Sequence, residues 1–265
     1  MKNAPQKAKG CRFCGNPFSI SKKTEEHAPP KWLLELAGIE RSEKHRLLQK
    51  IEQGNYEVVR EIGAHSSVYG QVCSGCNNGW LSDLETRMKV IFPKIISEGT
   101  FTLDIHEAQT ICRWMHKTAA LIALGNPGER RNVVVPDDLR ALYLGMLPNG
   151  EADVILGRTQ NPAPSKLRIW THAIRYGVPH AHSFVDETKD SKCFTAMLHF
   201  KSTVLGYVYR FPRQKWHTTI EPHSAEFIHL WPQDSYHEID MASVPPIDDP
   251  EAIRFTFLLK PTQYQ

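Results

Sequence analysis

Four cysteines of this chain stand in two short pairs whose spacing is typical of a metal site. Cys11 and Cys14 form the first pair, Cys73 and Cys76 form the second, and each pair has two residues between its members. Two such pairs separated by several tens of residues can supply four thiolates, which is the ligand set of a closed tetrahedral zinc site. The chain has only six cysteines, so this double spacing is hard to attribute to chance. We therefore predict a structural Zn²⁺ bound by these four residues.

Polar residues that could carry out hydrolysis lie close to the two pairs. Glu26 and His27 follow the first pair, and Asn77 directly follows the second. Hydrolysis of a phosphodiester needs an activated water, a cation for the charge that builds up on the phosphate, and stabilisation of the leaving oxygen. An imidazole titrates near neutral pH, which suits a general base. Glu26 and Asn77 offer oxygen ligands, which Mg²⁺ prefers.

The same residues resemble the pattern of the HNH endonucleases of the ββα-metal type. That pattern is C-x2-C, an acidic residue followed by His and soon by Pro, and then C-x2-C followed by His or Asn. The matching residues here are Cys11, Cys14, Glu26, His27, Pro29, Cys73, Cys76 and Asn77. The resemblance covers about the first third of the chain. It implies a treble-clef zinc module with His27 as general base, Glu26 and Asn77 as ligands of a catalytic Mg²⁺ or Mn²⁺, and DNA as the substrate.

The chain departs from that pattern at two places. The middle Asn of the family, which orients the base, is expected about five residues before Cys73, where the chain has Ser67 and Val68. His65, Ser66 or a backbone carbonyl could replace it. The second departure is four residues after Asn77, where some members place an extra ligand or a basic residue and this chain has Leu81. Glu85 lies about two helical turns beyond Asn77, where it is either an additional metal ligand or a capping or salt-bridging residue.

Two other classes of protein fit parts of this pattern. The first is a non-catalytic zinc-dependent protein that binds nucleic acid or acts as a scaffold. The second is a zinc-dependent nucleobase deaminase, which requires H-x-E and P-C-x-x-C. In this chain the acid directly precedes His27, and Val72 precedes Cys73, so the deaminase ranks below the other two. Cys112 and Cys193 fit small core residues better than metal ligands. His180 and His182 could form a metal site, but histidines scattered in loops usually do not.

Composition and charge limit the remaining possibilities. The chain has 265 residues, of which 41% are hydrophobic and 23% charged, with a net charge of +3. These values are typical of a soluble globular protein, and no apolar run is long enough to cross a bilayer. Zinc thiolates fit a reducing compartment, so we expect a cytoplasmic protein without a membrane partner. A protein activator or a homo-oligomer stays open.

Cationic residues mark two stretches that could contact nucleic acid. The stretch before Thr24 contains six Lys or Arg and no acidic residue, which suits contacts with a phosphate backbone or a solvated tail. Arg210, Arg213, Lys215 and Trp216 mix cationic and aromatic groups, although a solvated strand end is the simpler explanation.

Hydrophobic periodicity predicts the elements that position these residues. We expect an α+β protein with an HNH-type module in residues 1–99 and an accessory α+β domain, a helix pair on an antiparallel sheet, in residues 100–265. Helices are predicted over 31–39, 41–53, 77–97, 104–124 and 136–144. Strands are predicted over 56–62, 68–73, 152–158, 167–176, 194–199, 204–211 and 227–231.

Overall fold

The structure is a computed structural model of the chain. It describes residues 10–50, 56–66, 68–125, 136–147, 152–160, 167–175, 192–210, 216–220, 227–231, 237–247 and 257–261. These residues contain both helices and mainly antiparallel sheets, so the predicted α+β class is confirmed. Three of the six cationic residues before Thr24, which are Lys2, Lys7 and Lys9, lie outside these ranges. The other residues singled out above that lie outside them are Ser67, His180, His182, Arg213 and Lys215.

The first part of the chain consists of small sheets and short helices. Its elements are β1 (Lys23–His27), α1 (Lys31–Leu36), β2 (Lys44–Lys50), β3 (Tyr56–Gly63), β4 (Val68–Cys73), α2 (Ser74–Cys76), α3 (Ser82–Ile95) and β5 (Thr100–Leu103). Strand β1 pairs with β4, and β2 pairs with β3, both in antiparallel orientation. The β1–β4 pair joins the two segments that carry the cysteines.

The predicted helix over residues 41–53 is wrong. Residues 44–50 form strand β2, which pairs with β3 from Lys44 opposite Gly63 to Lys50 opposite Tyr56. A charged run that contains leucines has only a weak helical preference. The neighbouring strand provides partners for its backbone N–H and C=O groups, and this pairing decides the conformation.

The helix after the second cysteine pair begins earlier than the predicted residue 77. The single turn α2 is followed by a wider π turn over Asn77–Leu81 and then by α3. The interruption is at Gly79, whose φ of −98° and ψ of −118° are not helical. One face of this helix is buried, and its residues recur at helical spacing: Leu81, Leu84, Met88, Ile91 and Ile95.

The second part of the chain is a helix pair and a large sheet. Its helices are α4 (Ile105–Gly125) and α5 (Pro136–Tyr143), and its strands are β6 (Ala152–Thr159), β7 (Leu167–Arg175), β8 (Lys192–Phe200), β9 (Thr203–Arg210), β10 (Trp216–Ile220), β11 (Phe227–Trp231), β12 (His237–Asp240), β13 (Pro246–Ile247) and β14 (Phe257–Pro261). The order β11-β6-β9-β8-β7 is antiparallel throughout, and β13 lies parallel to β6. Both predicted helices and all five predicted strands of this part are confirmed.

Helix α4 lies in the middle of the molecule, because it packs against α3 and also against the large sheet. The aromatic core continues across this contact: Phe92 of α3 lies 5.4 Å from Phe200 of β8 and 6.3 Å from Trp114 of α4, measured between ring centroids. The boundary near Gly99 stays a prediction, and the elements on its two sides share one hydrophobic core. No helix in the described part of the chain is long and apolar enough to span a membrane.

Shortening the side chain of Phe92 tests this shared core. We expect Phe92→Ala to lower the free energy of unfolding by about 3–5 kcal/mol, because it leaves a cavity between α3, α4 and the sheet. Val90 is 67% exposed on the same helix, so Val90→Ala should change stability by no more than about 0.5 kcal/mol. Urea denaturation measures the free energy of unfolding of both variants. A change for Phe92→Ala as small as that for Val90→Ala would contradict the shared core.

His116 predicts how stability depends on pH. The ring is buried against Tyr207, whose hydroxyl lies 2.5 Å from Nδ1, and burial lowers the pKa of His116 to about 4. The unfolded chain binds this proton near pH 6.5 while the folded chain does not. The contribution of His116 to the free energy of unfolding is therefore fully present above pH 6.5, and it falls by about 3 kcal/mol as the pH drops to 4. We expect His116→Gln to lose this contribution to the slope in denaturation measured at several pH values, and an unchanged slope would contradict the assignment.

Candidate metal centre

The first cysteine pair lies in a tight loop whose backbone bonds to itself. The N–H of Cys11 donates to the carbonyl of Asn16 at 2.8 Å, and the N–H of Gly15 donates to the carbonyl of Cys11 at 3.0 Å. Gly15 has a φ of +78°, in the left-handed region that favours glycine. A Cβ at Gly10 would lie 2.9 Å from the carbonyl oxygen of Gly15. The glycines on either side of the pair thus allow the chain to turn closely enough to bring Cys11 and Cys14 together.

The second cysteine pair joins a strand end to a helix start. Cys73 is the last residue of β4, and its Sγ accepts from the N–H of Cys76 at 3.4 Å. Strand pairing places Cys73 opposite Lys23. The backbone N–H of Arg12 reaches the carbonyl of Gln71 at 3.3 Å. These backbone bonds bring the loop of the first pair against the second pair.

The four sulfur atoms form one cluster. The Sγ atoms of Cys11, Cys14, Cys73 and Cys76 all lie within 4.8 Å of one another, and those of Cys14 and Cys73 are 3.6 Å apart. Ligands at zinc–sulfur distances of about 2.3 Å in a tetrahedron are about 3.8 Å apart, whereas a disulfide would require about 2.05 Å. The four residues could therefore hold a metal ion such as zinc. Among the described residues, no second group of three or more His, Cys, Asp or Glu meets this distance.

Burial and backbone donors shift the pKa values of the thiols in the cluster in different directions. Burial, reinforced by the nearby charge of Cys11, raises the pKa of Cys76 well above its ordinary value, although the Trp80 indole acts in the opposite direction. Burial also raises the pKa of Cys14. At Cys11 burial acts in the same direction, but backbone N–H donors, including that of Cys73, outweigh it and lower the pKa. A bound zinc ion would have to displace protons from these thiols, because the thiolate is the form that binds a metal.

Aromatic and cationic side chains attach the cluster to the rest of the fold. Phe13, between the first two cysteines, is buried and lies edge-on to Trp80 at 5.0 Å between ring centroids. Trp80 in turn lies 6.4 Å from Tyr143 of α5. The guanidinium of Arg140, also on α5, donates to the carbonyl of Cys14. The cysteine cluster is therefore packed on α5, which lies in the second part of the chain.

Glu26 and Glu85 meet at a residue that the sequence analysis did not identify. The ammonium of Lys117, on α4, lies 3.1 Å from Oε1 of Glu26 and also donates to Oε1 of Glu85. Its side chain is completely buried, and those of Glu26 and Glu85 are only 10% and 13% exposed. One signal was present, because Lys117 directly precedes an apolar stretch over residues 118–124 and so lies on a helix that is largely buried.

Glu85 has further donors besides the lysine. The indole Nε1 of Trp114 donates to its Oε1 at 3.0 Å, and the indole Nε1 of Trp32 donates to its Oε2. Burial by itself lowers the pKa of Lys117, but the charges of Glu85 and Glu26 outweigh it and raise the pKa above its ordinary value. The lysine is therefore charged at neutral pH, and Glu85 forms a salt bridge with it, which is one of the two roles considered for Glu85.

His27 is part of strand β1, and Asn77 contacts the same strand. Along this strand Glu25 is exposed, Glu26 is buried and His27 is half-buried, and the pairing with β4 shifts its register between Glu26 and His27. The side-chain amide of Asn77 donates to the backbone carbonyl of Glu25 at 3.5 Å. Asn77 is thus next to the strand that carries His27. His65, one candidate for the missing Asn, instead bonds to the carbonyl of Ile39 at 3.0 Å.

The two implied metals differ in how well these residues fit them. Cys11, Cys14, Cys73 and Cys76 fit zinc by number, distance and chemistry. Glu26 and Glu85 do not form an open divalent-metal site, because both carboxylates face the ammonium of Lys117. Cys112 was predicted to be a small core residue and not a ligand. This is confirmed, because its side chain is fully buried in the main hydrophobic core, away from the cysteine cluster. Cys193 lies in β8, and its side chain is outside the described residues.

Zinc content tests the cluster directly. We expect elemental analysis of the purified chain to find one zinc atom per molecule, and Cys76→Ala to lose it because three ligands hold the ion less tightly. Cys112→Ala removes a thiol from the main core and should retain the zinc. Zinc that stays at the same level in Cys76→Ala would contradict this ligand set.

We found no family model, no curated protein and no solved structure that matches the chain. The likeness to HNH endonucleases therefore depends on the motif residues themselves. The function has to be argued from the geometry around the four cysteines and strand β1.

Proposed function

We propose that the chain is an HNH-type endonuclease that hydrolyses phosphodiester bonds in nucleic acid, with DNA as the expected substrate and His27 as general base. One observation carries the proposal. The cysteine cluster lies at the end of the β1–β4 pair, and Asn77, the residue after the last cysteine, bonds to the backbone of the strand that bears His27. A treble-clef arrangement of the zinc module is part of this proposal.

Each group has a physical role in it. The half-buried imidazole of His27 accepts a proton from the attacking water. Bound zinc would keep the cysteine loops together and so set where Asn77 begins its turn. Arg12, Lys22 and Lys23 are exposed beside the cluster and provide positive charge for the phosphate backbone. The resemblance also implies Mg²⁺ or Mn²⁺ at Glu26 and Asn77, but the Glu26 carboxylate already pairs with Lys117.

The second candidate is a non-catalytic zinc-dependent protein that binds nucleic acid or acts as a scaffold. The observation that favours it is the pairing of Glu26 and Glu85 with Lys117, since two of the acidic residues considered for catalysis have a structural partner. For either candidate we propose a cytoplasmic location, where thiolates stay reduced. An activating protein or a homo-oligomer would be compatible with both.

Cleavage of plasmid DNA by the zinc-loaded protein separates the two candidates. We expect His27→Ala to lower the rate by about 100-fold or more, because the general base is lost. The matched control is His106→Ala, which removes an exposed histidine of α4 and should cleave like the wild type. Each protein is assayed without added metal, with Mg²⁺ and with Mn²⁺, and its zinc content is measured before and after.

Two results would reject the nuclease. His27→Ala that cleaves at the wild-type rate would remove the proposed base. A folded, zinc-loaded wild type that cleaves neither DNA nor RNA with either metal would favour the binding or scaffold protein.

A further inference from the structure

The geometry points to Lys117 as a built-in cation: we propose that its ammonium group stands where Glu26 and Glu85 could otherwise bind a divalent metal, so that neither carboxylate is a metal ligand. This inference goes beyond the proposed activity and does not depend on it, because it concerns which cation the two carboxylates hold. It also makes α4 a necessary part of the module that begins at the first cysteine pair.

Carboxylate oxygens from two different elements converge on the ammonium group of Lys117. Oε1 of Glu26, from β1, and Oε1 of Glu85, from α3, both accept from the same ammonium nitrogen of Lys117. An ammonium group has three N–H donors and one positive charge. It therefore fills the space between the two carboxylates and satisfies an oxygen of each, as a metal ion would.

The carboxylate of Glu85 is surrounded by N–H donors. Its Oε1 accepts from Lys117 and from Trp114, and its Oε2 accepts from Trp32. Both oxygens are thus engaged by N–H donors that point at the carboxylate. A metal ligand needs a lone pair directed at the metal, and N–H donors take three of the roughly four acceptor positions of this carboxylate.

The salt bridges between Lys117 and the two carboxylates are buried. The ammonium is completely inaccessible to solvent, and the carboxylates are nearly so. A metal ion that took its place would leave Lys117 buried without a partner, which is strongly unfavourable. The lysine is held by its position on α4, in the core between α3 and the sheet, so it cannot easily withdraw.

Binding of Mn²⁺ to the full-length, zinc-loaded protein tests this inference. Electron paramagnetic resonance counts bound Mn²⁺ in the wild type and in Glu26→Gln, which keeps Lys117 balanced by Glu85. We expect the two proteins to give the same binding curve. The control is Glu98→Gln, which removes an exposed carboxylate from the surface, and zinc content is measured to exclude exchange at the cysteines.

A wild type that binds a Mn²⁺ ion which Glu26→Gln does not bind would overturn the inference. Lys117→Met provides the reverse test, because it leaves the two carboxylates without their cation. We expect this variant to gain a Mn²⁺ site that Lys117→Met/Glu26→Gln lacks, and a folded Lys117→Met without such a site would also overturn it. If Lys117→Met does not fold, the comparison of wild type with Glu26→Gln decides.

The outcome is separate from that of the proposed function. Cleavage with the same dependence on Mg²⁺ concentration in the wild type and in Glu26→Gln, whatever the two rates, would support both proposals and place the metal at other residues. Absence of cleavage would reject the nuclease and leave the Mn²⁺ result unaffected.

Discussion

The buried ammonium of Lys117 joins three elements that are far apart in the sequence. It connects β1 through Glu26 with α3 through Glu85, while its own backbone belongs to α4. Burying a charge is unfavourable, and the two carboxylates together compensate for it. Because each partner would be left uncompensated if another moved away, the three elements are constrained to one arrangement. The strand that bears His27 is therefore positioned from inside the molecule.

The cysteine cluster constrains the same strand from its other end. Pairing of β1 with β4 brings the first cysteine loop to Cys73, and the helical turn that follows brings in Cys76. A metal at this place and an ammonium at Glu26 would have different tasks. The metal would hold two loops together, whereas the ammonium anchors the strand to the core. Packing of Trp80 against Tyr143 and the bond from Arg140 to Cys14 extend this anchoring to α5.

Much of the fold could be predicted from the sequence, because most of its elements follow simple periodic patterns. The inward face of α3, the long helix α4 and the strands β6 to β9 each show the spacing of apolar residues that their packing requires. The error at β2 arose where that signal is weak. Its conformation depends on pairing with β3, a partner that the composition of residues 41–53 does not reveal. The small strand pairs also depend on distant partners. Strand β12 lies more than a hundred residues after β5, and β14 lies about forty residues after β10.

The sequence by itself determined the four cysteines as a cluster, since the spacing of two C-x2-C pairs carries that information locally. It also placed Glu26, His27 and Asn77 near that cluster. Only the tertiary structure decided which way each side chain points, and it turned Glu26 into the core, towards a lysine 91 residues away. The physical reason is that a motif specifies which groups could meet, while the partner of a buried charge depends on long-range packing. Lys117 has no motif of its own, and its role follows from being buried between two carboxylates.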